Sequence, residues 1–228
     1  MTAGPCGFRR ARRPEQVAAR RAAILEAAVA MLRERPVAEI SLRELSDQVG
    51  LAKSNVLRYF DSREAIFLEV LDRSWQAWLD GLEAILTAPS AAGPGYRREV
   101  EVASAVARAL LADPLLCELI SAMAGVLERN ISVDFARTFK RRAAEHSGRL
   151  AALVRAQLPH LDPIAALHFA SAVVVIVAGM WPFSRPTEAV AVVMGEMGMP
   201  SAQEMFTAAL TDGLINQLVG LVARGAAS

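Results

Sequence analysis

Gly50 separates two short helical patterns, and this arrangement constrains the fold more than any other feature of the chain. Before it, Ser41 and Glu44 have the spacing of a capping box, and apolar residues follow at helical intervals. After it, the sequence AKSNVLRYF begins a new helix within two residues. Glycine adopts a positive φ at little cost, so the chain can change direction here between two helices. The pattern predicts a helix-turn-helix, whose second helix typically enters the major groove of DNA.

The second helix of this motif has one apolar face and one polar face. Val56 and Phe60 lie four residues apart and are expected to point into the core, whereas Ser54 and Arg58 lie on the opposite side. Side chains of these types bond base edges and phosphates. We therefore expect the following residues to contact DNA: Ser41, Lys53, Ser54, Asn55, Leu57, Arg58, Tyr59 and Arg63.

Two arginines of this set have defined expected roles. Arg58 is expected to bind either guanine or a phosphate, and the alternative is a surface ion pair with Asp61. Arg63 stands at the start of the next helix, where we expect it to contact phosphate.

Charge is distributed unevenly along the chain. Residues 1–63 contain 12 Lys and Arg against 7 Asp and Glu, whereas residues 64–228 contain 13 against 17. A basic N-terminal third indicates a polyanionic partner, and the alternative is an ordinary solvated charged face.

The composition predicts an all-α protein in a reducing compartment. Hydrophobic residues make up 54% of the 228, and β-branched runs are scarce outside residues 172–179. The two cysteines, Cys6 and Cys117, form no disulfide framework, and the basic N-terminus lacks the apolar segment of a signal peptide. We therefore expect a cytoplasmic location.

Helical periodicity and its breaks outline the domains. Beyond the helix-turn-helix, helices are predicted at 62–86, 97–112, 114–130, 132–157, 164–181 and 202–223, with a Pro/Gly loop at 87–96 and a connection at 182–201. We predict a basic flexible tail over 1–13, a DNA-binding domain over 14–61 and a helical domain over 62–228.

The sequence of residues 22–71 resembles the N-terminal DNA-binding domain of the TetR family of transcriptional repressors. The resemblance comprises an alanine-rich first helix, a Ser-initiated second helix, the glycine turn and a short helix that ends in an aromatic residue and Phe. Ala52 departs from it, because the family usually has a capping Ser or Thr there. Leu57 and Arg58 also differ from the usual residues, so the base preference cannot be taken from relatives.

The resemblance implies a ligand-binding and dimerisation domain after the DNA-binding head. It implies a homodimer that binds a pseudo-palindromic double-stranded operator and is released by a small-molecule effector, with the last two long helices paired across the dimer. The expected interface residues are Ala165, Phe169, Ala172, Ile176, Gly179, Phe206, Leu210, Gly213, Leu214 and Leu218.

Large apolar residues mark a candidate effector site. We expect Trp75, Trp78, Met123 and Phe169 to line it, with ordinary core packing as the alternative. Glu118 and Glu128 lie in otherwise apolar helix; exposure is expected, and a buried counter-charge for a cationic ligand is the alternative.

Other classes of function have weaker support in the sequence. Residues 164–183 are long enough for a membrane span, but His168 and Ser171 interrupt them and no Lys/Arg cluster flanks them. The three histidines lack metal-ligand spacing, and no nucleophile elbow or phosphate-binding loop is present. We predict no catalytic residue, metal, cofactor or membrane partner. The alternatives are a helical membrane-associated or scaffold protein and an all-α enzyme.

Overall fold

The computed structural model describes residues 14–86 and 95–225, and the regular elements within these ranges are helices without strands. The α-helices are α1 (Pro14–Leu32), α2 (Leu42–Gln48), α3 (Lys53–Val56), α4 (Arg63–Ile85), α5 (Arg97–Leu111), α6 (Pro114–Ala122), α7 (Val133–Gln157), α8 (Pro163–Met180), α9 (Glu188–Glu196) and α10 (Ala202–Gly225). Short 3-10 turns span Val37–Glu39 and Trp181–Ser184, and a π-helical turn spans Met123–Leu127. The predicted all-α fold is confirmed.

The structure differs from the predicted helices in two places. The segment predicted as one helix over 114–130 ends its α-helical part at Ala122 and continues as the π-helical turn. The segment predicted as a connection contains α9, which buries no residue against the rest of the chain. A helix without a buried face shows no apolar stripe against a polar background, so periodicity does not reveal it. The predicted tail over 1–13 and most of the predicted loop lie outside the described residues.

The turn at Gly50 is built as the local sequence predicts. The Ser41 Oγ accepts a hydrogen bond from the Glu44 N–H at 3.2 Å, and a Glu44 carboxylate oxygen accepts one from the Ser41 N–H at 2.8 Å. Gly50 has a φ of 64°, and the N–H groups of Gly50 and Leu51 donate to the carbonyls of Asp47 and Ser46. These two bonds form a Schellman motif, which terminates α2 and aims the chain into α3.

The capping box makes the head sensitive to acid. Hydrogen bonds from the Ser41 side chain and backbone, with a further one from Arg35, lower the pKa of Glu44 from 4.5 to about 2. A depressed carboxyl pKa stabilises the fold above pH 4.5, and this contribution is lost as the pH falls towards 2.

We expect Glu44→Gln, which keeps an acceptor but cannot titrate, to reduce the stability lost between these pH values. Urea unfolding at several pH values measures this, with Asp47→Asn as the control; an unchanged acid dependence in Glu44→Gln would contradict the assignment.

The long helix α4 belongs to both parts of the molecule. It packs against α1, which precedes the helix-turn-helix, and it also packs against α5, α6 and α7, which follow it. Its buried residues extend from Ala65 to Leu82, within one continuous apolar core. A single helix therefore connects the two parts. The predicted domain bounds at 61 and 62 remain an expectation.

The helices α8 and α10 pack against each other and bury residues that we expected at a dimer interface. Phe169, Phe206, Leu210, Leu214 and Leu218 are buried in the core of their own protomer, so the expectation that they face a partner is wrong. Both helices are apolar around most of their circumference, and periodicity alone cannot decide which side faces inward.

The other five expected interface residues are more accessible. Ala165, Ala172, Ile176 and Gly213 are half-buried, and Gly179 is exposed. A side chain at Gly213 would meet Ile176 of the same protomer at 3.7 Å. A charged residue at Ile176 or Gly213 would therefore disturb the α8–α10 contact within one chain before it could report on a dimer.

Within residues 14–86 and 95–225, two helical segments are long and apolar enough to cross a membrane. The segment Pro163–Ser184 has a mean hydropathy of 2.1 and α10 one of 1.3. A third candidate would combine α5 with the segment Pro114–Leu127, and this pair is bent by 88°. In the fold, α8 packs against α6, α7 and α10, and α10 packs against α5.

Candidate nucleic-acid interface and effector region

The recognition segment, residues 53–59, consists of α3 and the turn that follows it. Val56 and Phe60 are buried and anchor it to the head, as predicted. Ala52 occupies the N-cap position and provides no side-chain hydrogen bond, also as predicted. The segment is therefore held by its apolar residues and by its neighbours rather than by a cap.

The outward side of the recognition segment carries the polar residues expected to contact DNA. Lys53, Ser54, Leu57 and Arg58 are exposed, and Asn55 is half-buried. Across the described residues, neither the Lys53 nor the Arg58 side chain takes part in a hydrogen bond or ion pair. Arg58 does not pair with Asp61, whose carboxylate instead accepts a hydrogen bond from the Ser132 hydroxyl at 3.4 Å. Both cationic groups are thus available to an external anion.

Arg21 positions the end of the recognition segment, a role that the sequence pattern did not reveal. Its guanidinium donates to the Tyr59 carbonyl and to the Glu69 carboxylate, and it lies 4.2 Å from the centre of the Phe60 ring. Tyr59 itself is half-buried. An arginine next to Arg20 on a solvated helix gives no signal for this role, because its partners are 38 and 48 residues away.

Arg63 does not occupy the position expected of a phosphate contact. Its guanidinium donates to the backbone carbonyls of Val37 and Ile40 and pairs with Glu64 at 3.0 Å. It also lies 5.1 Å from the centre of the Phe67 ring. These inward contacts satisfy most of its donors, so we withdraw it from the expected DNA-contact residues.

Ser41 lies at the exposed N-terminus of α2, where its oxygen caps the helix. The hydroxyl accepts the Glu44 N–H, and its own proton remains able to donate to a phosphate.

The charge of the described head is nearly balanced, because residues 14–63 contain 8 Lys and Arg against 7 Asp and Glu. The excess of positive charge in the N-terminal third thus comes mainly from 1–13, outside the described residues. In the described head, the placement of the cations is what indicates a DNA-binding face.

The four expected effector residues lie in the interior of the C-terminal domain. Trp75, Trp78 and Phe169 are buried, and Met123 is half-buried. The indole N–H groups of Trp75 and Trp78 are buried, and neither finds a hydrogen-bond acceptor in the part of the chain that the structure describes. Buried donors are nearly always paired in native proteins, so two unpaired donors on one helix require an explanation.

His146 and Asp72 border this region, and the sequence analysis assigned neither to it. The His146 ring stacks on Trp75 with the ring centres 6.2 Å apart, and its Nε2 lies 2.9 Å from a carboxylate oxygen of Asp72. These contacts place a polar pair directly beside Trp75.

Glu118 is buried, contrary to the expected exposure. One of its carboxylate oxygens accepts the Val37 N–H at 3.1 Å, and the other accepts the Trp181 indole N–H at 2.9 Å. Glu128 is half-buried and pairs with Lys140 at 2.6 Å. Glu118 therefore links the head to the end of α8 and is not an unpaired counter-charge.

No group of three or more His, Cys, Asp and Glu side chains within the described ranges is arranged to hold a metal ion. Cys117 is buried, and this burial, together with the charge of Asp113, raises the pKa of its thiol to about 12. It is therefore a neutral thiol at physiological pH. The prediction that the chain has no catalytic or metal site remains an expectation.

Family models match both parts of the chain. Residues 24–70 match the model of bacterial regulatory proteins of the tetR family, and residues 72–225 match that of the tetracyclin repressor-like C-terminal domain. The chain belongs to the TetR family. It is thus a TetR-family transcriptional regulator with a helix-turn-helix DNA-binding domain and a helical C-terminal domain.

Two curated transcriptional regulators are similar to part of this chain. The HTH-type transcriptional regulator RutR of Escherichia coli strain K12 is 34% identical over 89 residues, which are 38% of this chain and 42% of RutR. The HTH-type transcriptional regulator EthR of Mycobacterium tuberculosis strain H37Rv is 41% identical over 54 residues, 24% of this chain and 25% of EthR. The matched region spans less than half of either relative.

Solved structures of two transcriptional regulators share the fold across most of the chain. The transcriptional regulator FadR from Bacillus subtilis, solved with stearoyl-CoA, has a TM-score of 0.54 at 13% identity and covers 86% of this chain and 97% of that one. The fatty acid degradation regulator FadR from Bacillus halodurans has a TM-score of 0.51 at 14% identity, with coverages of 91% and 96%. At these identities the likeness concerns the fold alone.

Proposed function

We propose that this TetR-family protein is a cytoplasmic repressor that binds a pseudo-palindromic DNA operator as a homodimer and is released by a small-molecule effector. The proposal rests on the recognition segment. Val56 and Phe60 anchor its apolar side, while Lys53 and Arg58 stay exposed and make no ion pair with any residue in 14–86 or 95–225. Two such heads in a dimer would read two half-sites of one operator.

The Arg58→Ala variant tests DNA recognition through its affinity for the operator and for random DNA. Selection of bound sequences from a random DNA pool first identifies the operator. If Arg58 binds guanine, Arg58→Ala should cost about 1–3 kcal/mol in operator binding and relax the preference at one base pair of each half-site. If it contacts phosphate, all sequences should be weakened alike, and the slope of log affinity against log salt should become shallower by about 0.9 per site.

The control for this test is Arg137→Ala, which removes an exposed arginine from α7 of the C-terminal domain. It should leave affinity and salt dependence unchanged. Unchanged DNA binding in Arg58→Ala at every salt concentration would contradict the proposed recognition face.

The effector site is proposed around Trp75 and Trp78. Their unpaired indole donors support a ligand that presents hydrogen-bond acceptors, such as carbonyl or carboxylate oxygens, to the interior. The stearoyl-CoA complex of FadR supports a ligand-binding role for a protein of this fold. An effector needs only a different affinity for the two head arrangements, and a coupling of about 1–3 kcal/mol gives a useful switch.

We expect effector binding to require both indole N–H donors. Metabolites that raise the thermal midpoint and release DNA would identify the effector. Trp75→Phe and Trp78→Phe keep an aromatic ring but remove the N–H donor. Each should lower the affinity for the effector about five- to fifteen-fold. Tyr96→Phe, at an exposed position outside this region, is the control. A metabolite that releases DNA equally well from both tryptophan variants would exclude this site.

The proposed dimer face is the exposed side of α8. Ile164, Leu167 and Val175 are large, apolar and exposed, and they recur at helical spacing around the exposed Ser171. A solvent-exposed apolar face on this scale indicates a contact with another molecule. This face replaces the buried residues that the sequence pattern indicated.

Membrane association is the second candidate function, and the length and hydropathy of Pro163–Ser184 favour it. Liposome flotation separates the candidates. A cytoplasmic repressor stays at the bottom of the gradient and binds its operator, whereas a membrane-associated protein floats with the vesicles.

A further inference from the structure

An apolar groove lies on the side of the C-terminal domain, between the end of α8, α9 and the start of α10. Its cavity volume is about 730 Å³, which is within the range of small-molecule sites. Val190 and Met194 of α9 form one wall, and Met205 and Phe206 of α10 form another. The groove is separate from the region around Trp75 and Trp78, because none of its lining residues comes from α4.

The groove is open to solvent in this chain. No residue of α9 is buried, and several apolar lining residues, including Phe183, Val190 and Met205, are exposed. Apolar surface in a concave site is covered favourably by hydrocarbon, and unbranched Met side chains adapt to ligands of different shape. An apolar chain is therefore the kind of group that fits the walls.

Arg185 provides the charge at the groove, and no acidic side chain is among its lining residues. Its guanidinium lies 5.1 Å from the centre of the Trp181 ring and 3.9 Å from the Glu118 carboxylate. This second distance is too long for a hydrogen bond, and the Arg185 side chain makes none with the residues that the structure describes, so its donors can bind another anion. Charge complementarity selects a ligand with an anionic end.

We propose that this groove binds an elongated amphiphile with one anionic end, and that Glu118 transmits its occupancy to the DNA-binding head. The hydrocarbon part lies against Val190, Met194 and Phe206, and the anionic group pairs with Arg185. This is a second site, in addition to the proposed effector region in the core.

The route to the head is a short series of direct contacts. Phe206 of the groove packs edge-on against Trp181, with the ring centres 5.3 Å apart. The Trp181 N–H donates to Glu118, and Glu118 accepts the N–H of Val37 in the head. The Val37 carbonyl in turn accepts from Arg63. A ligand anion draws Arg185 away from Glu118, and the ligand chain presses on Phe206, so both displacements act on the carboxylate that holds Val37.

Binding is tested by titrating the full-length protein with dodecanoate and with dodecanol, both below their aggregation concentrations. Arg185→Gln should lower the affinity for dodecanoate about ten-fold and leave the affinity for dodecanol nearly unchanged, because only the anion pairs with the guanidinium. Val190→Asp should lower the affinity for both ligands. The matched control is Val192→Asp on the same helix, since Val192 is 54% exposed and Val190 50%, but only Val190 lines the groove.

The coupling is tested by amide hydrogen exchange in the same protein. Dodecanoate should speed exchange at the Val37 N–H several-fold, while the Leu45 N–H, which donates to the Ser41 carbonyl within the head, should not change. Trp181→Phe keeps the ring but removes the donor to Glu118. This variant should still bind dodecanoate, but dodecanoate should no longer speed exchange at its Val37 N–H.

Four results would overturn the proposal. Equal affinity for dodecanoate and dodecanol, or equal effects of Val190→Asp and Val192→Asp, would reject the amphiphile site. Failure of the dimer to bind dodecanoate, together with dissociation of the dimer by Val190→Asp, would show that a second copy covers the groove. An unchanged Val37 exchange rate would reject the coupling. Operator selection without dodecanoate tests the proposed function independently of these outcomes.

Discussion

Replacement of Arg63 by alanine is expected to lower the free energy of unfolding by about 3 kcal/mol. The guanidinium donates to the carbonyls of Val37 and Ile40 and pairs with Glu64, and its side chain is only 16% exposed. Its loss leaves two backbone acceptors and a buried carboxylate without their partner. Arg63→Lys should recover little of this stability, because one ammonium group cannot bond at once to the three groups that the planar guanidinium reaches. Denaturant unfolding, followed by circular dichroism, measures the loss.

The control for this experiment is Arg73→Ala on the same helix. Arg73 is 57% exposed and pairs only with Glu69, so its loss should change stability by less than about 1 kcal/mol. DNA binding distinguishes the two roles of Arg63. A phosphate contact would make the salt dependence shallower by about 0.9 per site, whereas a structural role leaves the slope unchanged. A fully stable Arg63→Ala protein with a shallower slope would restore the original expectation.

Replacement of Val175 by arginine is expected to dissociate the proposed dimer. Val175 is 69% exposed in the single chain, so the charge costs the free protomer little. In the dimer it would place an unpaired charge in an apolar contact, and we expect association to weaken by several kcal/mol, roughly 100-fold or more in dissociation constant. Sedimentation over a range of protein concentrations measures this, and operator affinity should fall with it because the two half-sites are no longer bound by one particle.

Val133→Arg is the matched control for this second experiment. Val133 is 72% exposed at the start of α7, away from the exposed face of α8, and its replacement should not change the sedimentation. Equal behaviour of the two variants, with both remaining dimeric, would show that α8 does not form the interface. A wild-type chain that sediments as a monomer at micromolar concentration would reject the dimer altogether.

Features that depend on a few neighbouring residues could be predicted from the sequence. The capping box of Ser41 and Glu44, the positive φ of Gly50 and the uncapped start of α3 at Ala52 all appear in the structure as expected. So do the buried positions of Val56 and Phe60. These features follow from interactions within one helical turn or one tight turn, and the residue types themselves determine their geometry. The recognition segment and its outward polar face follow from them.

The inward or outward direction of the longer elements depended on the tertiary structure. Periodicity did not select the buried side of α8 and α10, because both helices are apolar on nearly all sides, and it did not show α9, which buries none. The positions of Arg21, Arg63 and Glu118 could not be derived either, since each bonds to groups 23 to 81 residues away. The sequence by itself therefore determined most of the helices, the capping box of α2 and the DNA-recognition turn, which are local. Only the packed fold decided which charges turn inward, because that choice depends on partners that the chain brings together over long distances.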